Sequence, residues 1–247
     1  MLFIDDFIGL APYETNINFY GADTEELYNK NLKTKPVDWY YRNNTITYQR
    51  NKYGHRCKNI EEIDLNNYFL VIGCSHTEGV GLCLEDTYPY LLSKELNCDY
   101  YNLALGGTGI DVLQYNLLTW YSTIQQKPKF IVLQNPNDCR FSIIKENQYI
   151  DNYGSWSKDR GVNEFTISGD QINYFNSKYQ FAKRLIKNTI KDIPIIDIDF
   201  LMVKNNSQEN ANVTVYHIDY ARDDLHMGKL THNQASTKIL KKVQAFI

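Results

Sequence analysis

The sequence predicts an α/β fold with a parallel central sheet of about five strands. From about residue 67 onward, apolar runs of strand length alternate with longer stretches of helical periodicity. Strands that alternate with helices are joined by right-handed crossovers, which make the sheet parallel and cover both of its faces. The 247 residues suffice for one large domain of this kind or for two small ones.

Residues 1–65 are predicted to form an irregular N-terminal lobe packed on the main domain. This region is polar, rich in Tyr and Asn, and interrupted by Pro12 and Pro36. It has few large aliphatic residues from which to build a core of its own. Within it we expect a short helix at Asp23–Asn31 and a strand at Asn44–Arg50, where polar and apolar side chains alternate.

The main domain is predicted to span residues 66–247, as a three-layer α/β/α arrangement with a flavodoxin-like parallel sheet. The clearest strand runs are at 69–72, 100–105, 130–133 and 193–198, and the helices are expected at 86–96, 110–125, 177–190 and 233–246. In the third of these helices, the residues that keep helical spacing are Phe181, Leu185, Ile186 and Ile190.

An insertion at about residues 141–176 interrupts this alternation. It contains Gly154, Gly161 and Gly169, and its sequence alternates near 164–167 and 171–175. We therefore expect it to carry a β-hairpin close to the crevice of the main domain.

Composition and charge narrow the classes of function. Hydrophobic residues make up 43% and charged residues 22% of the chain, as in ordinary soluble globular proteins. The net charge of -3 gives no electrostatic reason to expect nucleic acid or an anionic membrane as a partner. No apolar run approaches the ~20 residues of a membrane span. No signal peptide is visible, so we expect synthesis in the cytosol, with release by lysis or incorporation into a virus particle left open.

The cysteines indicate neither a disulfide framework nor a zinc site. Their number is odd, and no C-x-x-C pair occurs, which fits a reducing compartment. We expect neither a metal nor an organic cofactor. The five cysteines are Cys57, Cys74, Cys83, Cys98 and Cys139.

A candidate nucleophile follows the first strand of the main domain. The apolar run 69–72 breaks at Gly73, and Ser75 lies in the turn that leads toward a helix. Side chains just past the carboxyl end of a parallel strand face an open crevice, and the N–H groups of a following helix can bind an anion. A serine hydroxyl is a poor nucleophile at neutral pH, and it needs a base that a third group orients.

The candidate base is His226, one of five histidines and the one that lies in a compact acidic group, Asp223-Asp224-Leu225-His226. Three-residue spacing in a turn lets Asp223 accept a hydrogen bond from Nδ1 of His226, which leaves Nε2 free for Ser75. Taken alone, a D-x-x-H pattern is more often a surface turn.

Two further stretches offer donors for an oxyanion. Residues 102–109 end the second strand in a glycine cluster, whose backbone N–H groups a substrate can approach closely. Residues 134–138 end the third strand in side-chain amides. A tight turn explains the first pattern equally well, and an Asx-turn explains the second. All four stretches nevertheless fall at the edge where a doubly wound sheet builds its site.

These four stretches, in this order, resemble the conserved blocks of the SGNH hydrolases, also called GDSL esterases. The resemblance covers about Tyr68 to the C-terminus and implies Ser75 as nucleophile, with its own N–H and that of Gly107 in the oxyanion hole. It also implies the Asn137 amide as an oxyanion donor and Asp223 with His226 as the rest of the triad. No cofactor is implied.

The chain departs from the family pattern at two positions. Cys74 stands where the family has Asp, and Asn135 stands where it has Gly. Neither position carries a triad or oxyanion role, so we expect an effect on loop shape and substrate fit more than on chemistry. Residues 51–56 also resemble an N-x-x-G-x-R segment that precedes the first block in some members.

The resemblance implies a serine ester hydrolase that works through an acyl-enzyme. Because there is no long apolar lid and aromatic residues are available to stack on sugar rings, we expect a short-acyl, O-acetyl esterase acting on a carbohydrate or another acylated small molecule. Two alternatives stay open: a catalytically silent structural or glycan-binding component, for example of a phage particle, and an acyltransferase with the same triad. Oligomer formation is also open. The aromatic residues are Trp39, Tyr40, Tyr41, Tyr149, Tyr153 and Trp156.

Overall fold

The structure, a computed structural model, describes residues 2–4, 7–10, 17–136, 140–144, 149–154, 169–202 and 211–246. Its strands are β1 Leu2–Ile4, β2 Ile8–Leu10, β3 Tyr68–Ile72, β4 Asp99–Asn102, β5 Ile131–Gln134, β6 Phe141–Ile144, β7 Tyr149–Tyr153, β8 Ile195–Leu201 and β9 Val213–Tyr216. Its α-helices are α1 Glu25–Thr34, α2 Ser75–Glu78, α3 Tyr88–Leu96, α4 Ile110–Thr123, α5 Gly169–Thr189 and α6 Lys229–Val243. None of the helices in these ranges has the length and apolar character needed to cross a membrane.

The central sheet is parallel throughout and has five strands in the order β4-β3-β5-β8-β9. The predicted α/β class is therefore confirmed. In this order the chain starts in the middle of the sheet and winds outward in both directions, so the switch point lies between β3 and β5. The carboxyl ends of β3, β4 and β5, where the candidate site was expected, meet at this switch point.

Helices cover both faces of the sheet because successive side chains of a strand point to opposite sides. In β3, Leu70 and Ile72 pack with α4 and α5, whereas Phe69 and Val71 pack with α3 and α6. Every residue of β3 is buried. Burial on both faces explains why this strand is a continuous apolar run in the sequence.

The edge strand β9 accounts for the fifth strand, whose position was not predicted. Val213–Tyr216 has only four residues, and β-branched valines alternate in it with a threonine and a tyrosine. Val213 and Val215 are buried against α6, and the strand pairs in parallel with β8. This alternation of valines with other side chains could have predicted the strand, but the segment is short and lies outside the long apolar runs.

The N-terminal residues and the insertion share a second sheet. This antiparallel sheet has the order β2-β1-β7-β6, so β1 of the lobe pairs with β7 of the insertion. The predicted hairpin exists, but β6 and β7 form it. The prediction for 171–175 was wrong, because these residues lie in α5, which begins at Gly169, and 164–167 lies outside the described residues.

The buried face of α5 differs from the pattern read in the sequence. Ile186 and Ile190 are buried as expected, and Ala182 is buried beside them. Phe181 and Leu185 are 68% and 47% exposed. Four-residue spacing places these two side chains together on the outer face of the helix.

In the N-terminal lobe the expected helix is present, but the expected strand at 44–50 is not. Helix α1 begins after Thr24, whose side chain accepts a hydrogen bond from the Leu27 N–H, as an N-cap residue does. Between 44 and 50, only Tyr48 pairs, in an isolated bridge with Ile17. Ile46 and Tyr48 are fully buried, so the alternation there reflects side-chain burial and not sheet pairing. The boundary between residues 65 and 66 stays a prediction.

Candidate active site

Ser75 is the first residue of α2 and follows β3 after a two-residue turn. Ser75 is buried, with 7% of the residue exposed. Only glycine fits at position 73, because a Cβ there would lie 2.4 Å from Thr77 Oγ1. The Cys74 N–H donates to Gln134 Oε1 at 2.8 Å, and the Asn102 side chain donates to the Thr77 carbonyl at 3.2 Å. Side chains from the ends of β5 and β4 thus hold the Ser75 turn.

Asp223 and His226 lie together in the turn before α6. Asp223 is fully buried, and its Oδ2 bonds to Nδ1 of His226. Its Oδ1 accepts the N–H groups of Leu225 and His226, both at 3.0 Å. The turn is tight because Asp224 adopts a left-handed conformation, with φ of 58°. With Nδ1 donating to the carboxylate, Nε2 is the basic nitrogen of His226.

The hydrogen bonds around Asp223 favour its charged form. Burial acts to raise the pKa of the Asp223 carboxyl, but the His226 ring and the two backbone N–H groups act more strongly in the other direction. The pKa of Asp223 is therefore held below its usual value. A carboxylate that is ionised at neutral pH can stabilise an imidazolium, which is what His226 becomes when it takes up a proton.

The His226 ring packs beside the Ser75 turn. It lies edge-on to the ring of His76, the residue after the serine, with 5.3 Å between the ring centroids. A Cβ at Gly81, on the loop after α2, would lie 3.3 Å from Asp223 Oδ1. No hydrogen bond joins Ser75 Oγ to His226 or to any other described residue. Such contacts are often loose in a free enzyme and tighten when substrate binds.

The glycine turn after β4 also reaches the Ser75 turn. A Cβ at Gly106 would lie 3.7 Å from the Ser75 Cβ. Gly107 has φ of 79°, a conformation that favours glycine. Within the described ranges, neither the Ser75 N–H nor the Gly107 N–H donates a hydrogen bond to another residue. Asn137 lies outside the described residues, and the side chain of Asn135, two positions earlier, donates to Asp199 Oδ1 at 2.7 Å.

A buried ion pair beneath the glycine turn was not predicted from the sequence. Glu78 Oε2 accepts the Gly106 N–H at 2.7 Å, and its Oε1 lies 3.3 Å from Arg50 Nη2. The Arg50 guanidinium in turn lies over the ring of Tyr20, 4.1 Å from its centroid. Glu78 is three residues after Ser75, on the same short helix. A carboxylate among small and apolar residues was the signal that could have indicated its role.

The segment at 51–56 supports the other end of α2. Arg56 is almost completely buried, and its guanidinium donates to the carbonyl oxygens of Gly79 and Leu82. Asn51 accepts the N–H of His55 and donates to the Tyr101 hydroxyl, both at 3.0 Å. The residues of the N-x-x-G-x-R pattern therefore stabilise the backbone at the end of α2, the helix that begins with Ser75.

The imidazole of His76 is uncharged and lies beside the ring of His226. Its Nδ1 is buried without a hydrogen-bond partner in the described part of the chain, and its ring stacks on Phe200. Burial lowers the pKa of His76 well below its usual value, and electrostatic interactions with His226, His232 and Arg140 act in the same direction. His76 therefore stays uncharged at neutral pH.

Two cavities include chain neighbours of the candidate site residues in their lining. One has a volume of about 450 Å³ and includes the aromatic residues 39–41 and Asp224 of the D-x-x-H turn in its lining. The other, of about 630 Å³, is lined by Cys74, His76 and residues of β5, β8 and α5. Among the described residues, no three His, Cys, Asp or Glu side chains are grouped so that they could hold a metal ion.

No protein-family model matches the chain. Among curated proteins, otoraplin of Mus musculus is 33% identical over 75 residues, which cover 27% of this chain and 59% of otoraplin.

Solved structures similar to the chain include esterases. A carbohydrate esterase with divergent catalytic and non-catalytic binding functions has a TM-score of 0.47 and 14% identity, over 73% of this chain and 65% of that one. An acetyl xylan esterase of the rumen bacterium Butyrivibrio proteoclasticus has a TM-score of 0.45 and 13% identity, over 76% and 65%. A psychrotrophic esterase of Pseudoalteromonas sp. has a TM-score of 0.43 and 11% identity, over 73% and 98%. The chain thus spans just under two thirds of the length of both carbohydrate-active esterases.

Proposed function

We propose that the protein is a serine ester hydrolase in which Ser75 is the nucleophile, His226 the base and Asp223 the residue that orients it. The observation that carries this proposal is the buried Asp223 carboxylate bonded to Nδ1 of His226, with the ring beside the Ser75 turn. This arrangement fixes the tautomer with a basic Nε2, which a serine hydroxyl needs for activation.

The proposed reaction has two steps. His226 Nε2 takes the Ser75 proton while Oγ attacks the ester carbonyl, and the proton then passes to the departing alcohol, which leaves an acyl-enzyme. Water, deprotonated by His226, releases the acid and restores Ser75. The N–H groups of Ser75 and Gly107 and the Asn137 amide hold the oxyanion, and each such donor contributes roughly 10²–10³ in rate.

We further propose an O-acetylated carbohydrate as the substrate. Support comes from the aromatic cavity beside Asp224, where Trp39 and Tyr40 are half-buried and leave ring surface available. Tyr41 is 4% exposed, so it supports its neighbours and does not offer a face of its own. Sugar rings stack on such surfaces because their C–H groups are apolar.

The test is labelling of the purified protein with a fluorophosphonate probe, read by intact mass. Ser75→Ala is compared with wild type and with Cys74→Ala, the matched control at the neighbouring position. We expect one adduct on wild type and on Cys74→Ala and none on Ser75→Ala. No adduct on folded wild-type protein would overturn the proposal and favour a non-catalytic scaffold. If labelling succeeds, release of acetate with and without added alcohol acceptors separates hydrolysis from acyl transfer.

A further inference from the structure

The loop after α2 and the turn before α6 are in direct contact. The Arg222 N–H, one residue before Asp223, donates to the Gly81 carbonyl at 3.0 Å. Gly81 has φ of 79°, and a Cβ there would lie 2.7 Å from the Ala221 Cβ. Since no space separates the two segments, a shift of one displaces the other. Helix α2 begins at Ser75, so this contact links the Asp223 turn to the segment that carries the proposed nucleophile.

The hydroxyl of Tyr48, in the N-terminal lobe, connects this contact to Asp23. It accepts the Gly81 N–H at 2.8 Å and donates to Asp23 Oδ2 at 2.5 Å. The Arg56 guanidinium, which donates to the Gly79 carbonyl, lies over the Tyr48 ring at 4.5 Å from its centroid. Because Tyr48 is fully buried, removing its hydroxyl leaves the two groups that it bonds without that partner in the protein interior.

Asp23 and Arg222 form a bidentate ion pair in the protein interior. Asp23 Oδ1 accepts a hydrogen bond from Nε of Arg222 at 2.9 Å, and Oδ2 accepts one from Nη2 at 2.7 Å. The two side chains are 0% and 3% exposed. Two parallel bonds fix the orientation of a guanidinium as well as its position. The Asn31 side chain, from helix α1 of the lobe, donates to the Arg222 carbonyl at 2.9 Å.

These bonds hold the main chain of both segments, not only their side chains. Tyr48 bonds the N–H of Gly81, Asn31 bonds the carbonyl of Arg222, and the remaining N–H and carbonyl bond to each other. An ion pair that served only to attach the lobe would not need contacts with the backbone of these two segments. The arrangement therefore indicates a role in setting their relative position.

We infer that Asp23, Tyr48 and Arg222 form a positioning network, which fixes the turn with the proposed catalytic base relative to the loop after α2. The inference rests on the proposed esterase function for its effect on the reaction. A base must lie within hydrogen-bond reach of the nucleophile, so a small displacement between the two segments is costly in rate. The N-terminal lobe is thereby needed for the reaction as well as for the fold.

The test compares Tyr48→Phe with Tyr68→Phe. The Tyr68 hydroxyl also accepts an N–H, that of the Trp120 indole at 3.1 Å, and donates to the Gln126 carbonyl at 2.7 Å. Tyr68 is 1% exposed and lies at the amino end of β3, the end of the strand opposite Ser75, so it is a matched control for the loss of a buried hydroxyl.

The first measurement is the rate constant for labelling by the fluorophosphonate probe, together with kcat and KM for 4-nitrophenyl acetate. We expect Tyr48→Phe to slow labelling and to lower kcat about tenfold, with KM changed less than about twofold. Tyr68→Phe should label at the wild-type rate. Equal labelling rates of the two tyrosine variants would overturn the inference.

The second measurement reports the geometry without any reaction. The rings of His76 and His226 lie 5.3 Å apart between centroids, so their ring protons should give a nuclear Overhauser effect in wild type. We expect this signal to weaken in Tyr48→Phe and to persist in Tyr68→Phe. An undiminished signal in Tyr48→Phe would overturn the inference, whatever the labelling rate.

Asn31→Ala tests the network from the other side and does not depend on the folding of Tyr48→Phe. It removes the donor to the Arg222 carbonyl, and we expect labelling to slow about threefold. Thr34→Ala on the same helix is its control, since the Thr34 hydroxyl bonds to carbonyl oxygens of that helix, and it should change nothing. Equal rates for these two variants would count against the network.

The outcomes separate this inference from the proposed function. If wild type is labelled at Ser75 but the tyrosine variants match each other in rate and in the histidine signal, the esterase stands and the positioning role falls. If wild type is neither labelled nor cleaves the ester, the esterase falls. The histidine signal then still shows whether the network holds the two segments together.

Discussion

At the scale of single residues, the buried pair of Arg50 and Glu78 holds the glycine turn against helix α2. Their side chains are 3% and 1% exposed. Glu78→Gln keeps an acceptor for the Gly106 N–H but leaves Arg50 as a buried cation without its carboxylate. We expect this variant to lose about 3 kcal/mol in the free energy of unfolding. Urea denaturation followed by circular dichroism measures the loss.

A double-mutant cycle tests whether the pair itself is responsible. Arg50→Met combined with Glu78→Gln removes both charges, so its loss should be smaller than the sum of the two single losses. Glu61→Gln, which breaks the exposed pair with Lys52, is the control and should leave the urea midpoint unchanged. Losses that simply add would show that Arg50 and Glu78 do not act as a pair.

Local spacing decides which residues of the site are predictable. Asp223 and His226 are three residues apart in one turn, so their hydrogen bond follows from the sequence. Arg50, Glu78 and Gly106 come from three separate stretches, and only the packing of the lobe on the main domain brings them together. The role of Asn137 stays a prediction, because that residue lies outside the described ranges.

At the scale of elements, periodicity predicts burial more directly than it predicts pairing. The apolar runs at 69–72 and 130–133 became β3 and β5, which are buried throughout, because strands covered on both faces need continuous hydrophobic sequence. The edge strand β4 takes in only residues 100–102 of the run predicted at 100–105. The alternating segment 44–50 has buried side chains but hardly any strand partner. In 44–50 the sequence pattern indicates which side chains are buried, and it does not indicate whether a strand forms.

At the level of elements, the glycine turn between β4 and α4 can be tested by substituting Gly107. Gly107→Ala places a side chain at φ of 79°, and Gly21→Ala does the same at φ of 63°, where no atom lies within 4 Å of the added Cβ. We expect each change to cost about 1 kcal/mol of stability through backbone strain. If the proposed function is right, only Gly107→Ala should slow ester hydrolysis, by roughly 10²-fold, because it disturbs a proposed oxyanion donor.

Rates on 4-nitrophenyl acetate and urea midpoints, measured on both glycine variants, separate strain from function. Gly21→Ala serves as the matched control for strain. If the two variants lose activity equally, the loss reflects stability alone, and Gly107 has no special place in the reaction.

At the scale of the whole molecule, the lobe is joined to the main domain through buried polar contacts, and the second sheet joins the lobe to the insertion. His55 of the lobe is fully buried between the Ile8 carbonyl and the Tyr101 hydroxyl. Asn116 of α4 bonds to both the N–H and the carbonyl of Ile8. Since unsatisfied buried groups are costly, these contacts specify one docking arrangement. The sequence indicates the burial of such residues poorly, because partners 47 and 108 positions away are needed to explain it.

Buried histidines make the stability of the whole molecule dependent on pH. Burial lowers the pKa of His55 to about 4 and that of His232 to about 3, against about 6.5 in an unfolded chain. Between these values the unfolded state binds more protons, so stability is complete above about pH 6.5 and is lost as pH falls toward the folded-state values. We expect each histidine to remove about 2 kcal/mol between pH 7.5 and pH 5. Urea unfolding at both pH values measures this, and His232→Gln, which keeps an acceptor for the Tyr88 N–H, should show a smaller pH dependence. A free energy of unfolding that is equal at pH 7.5 and pH 5 would show that these histidines are not buried in their neutral form.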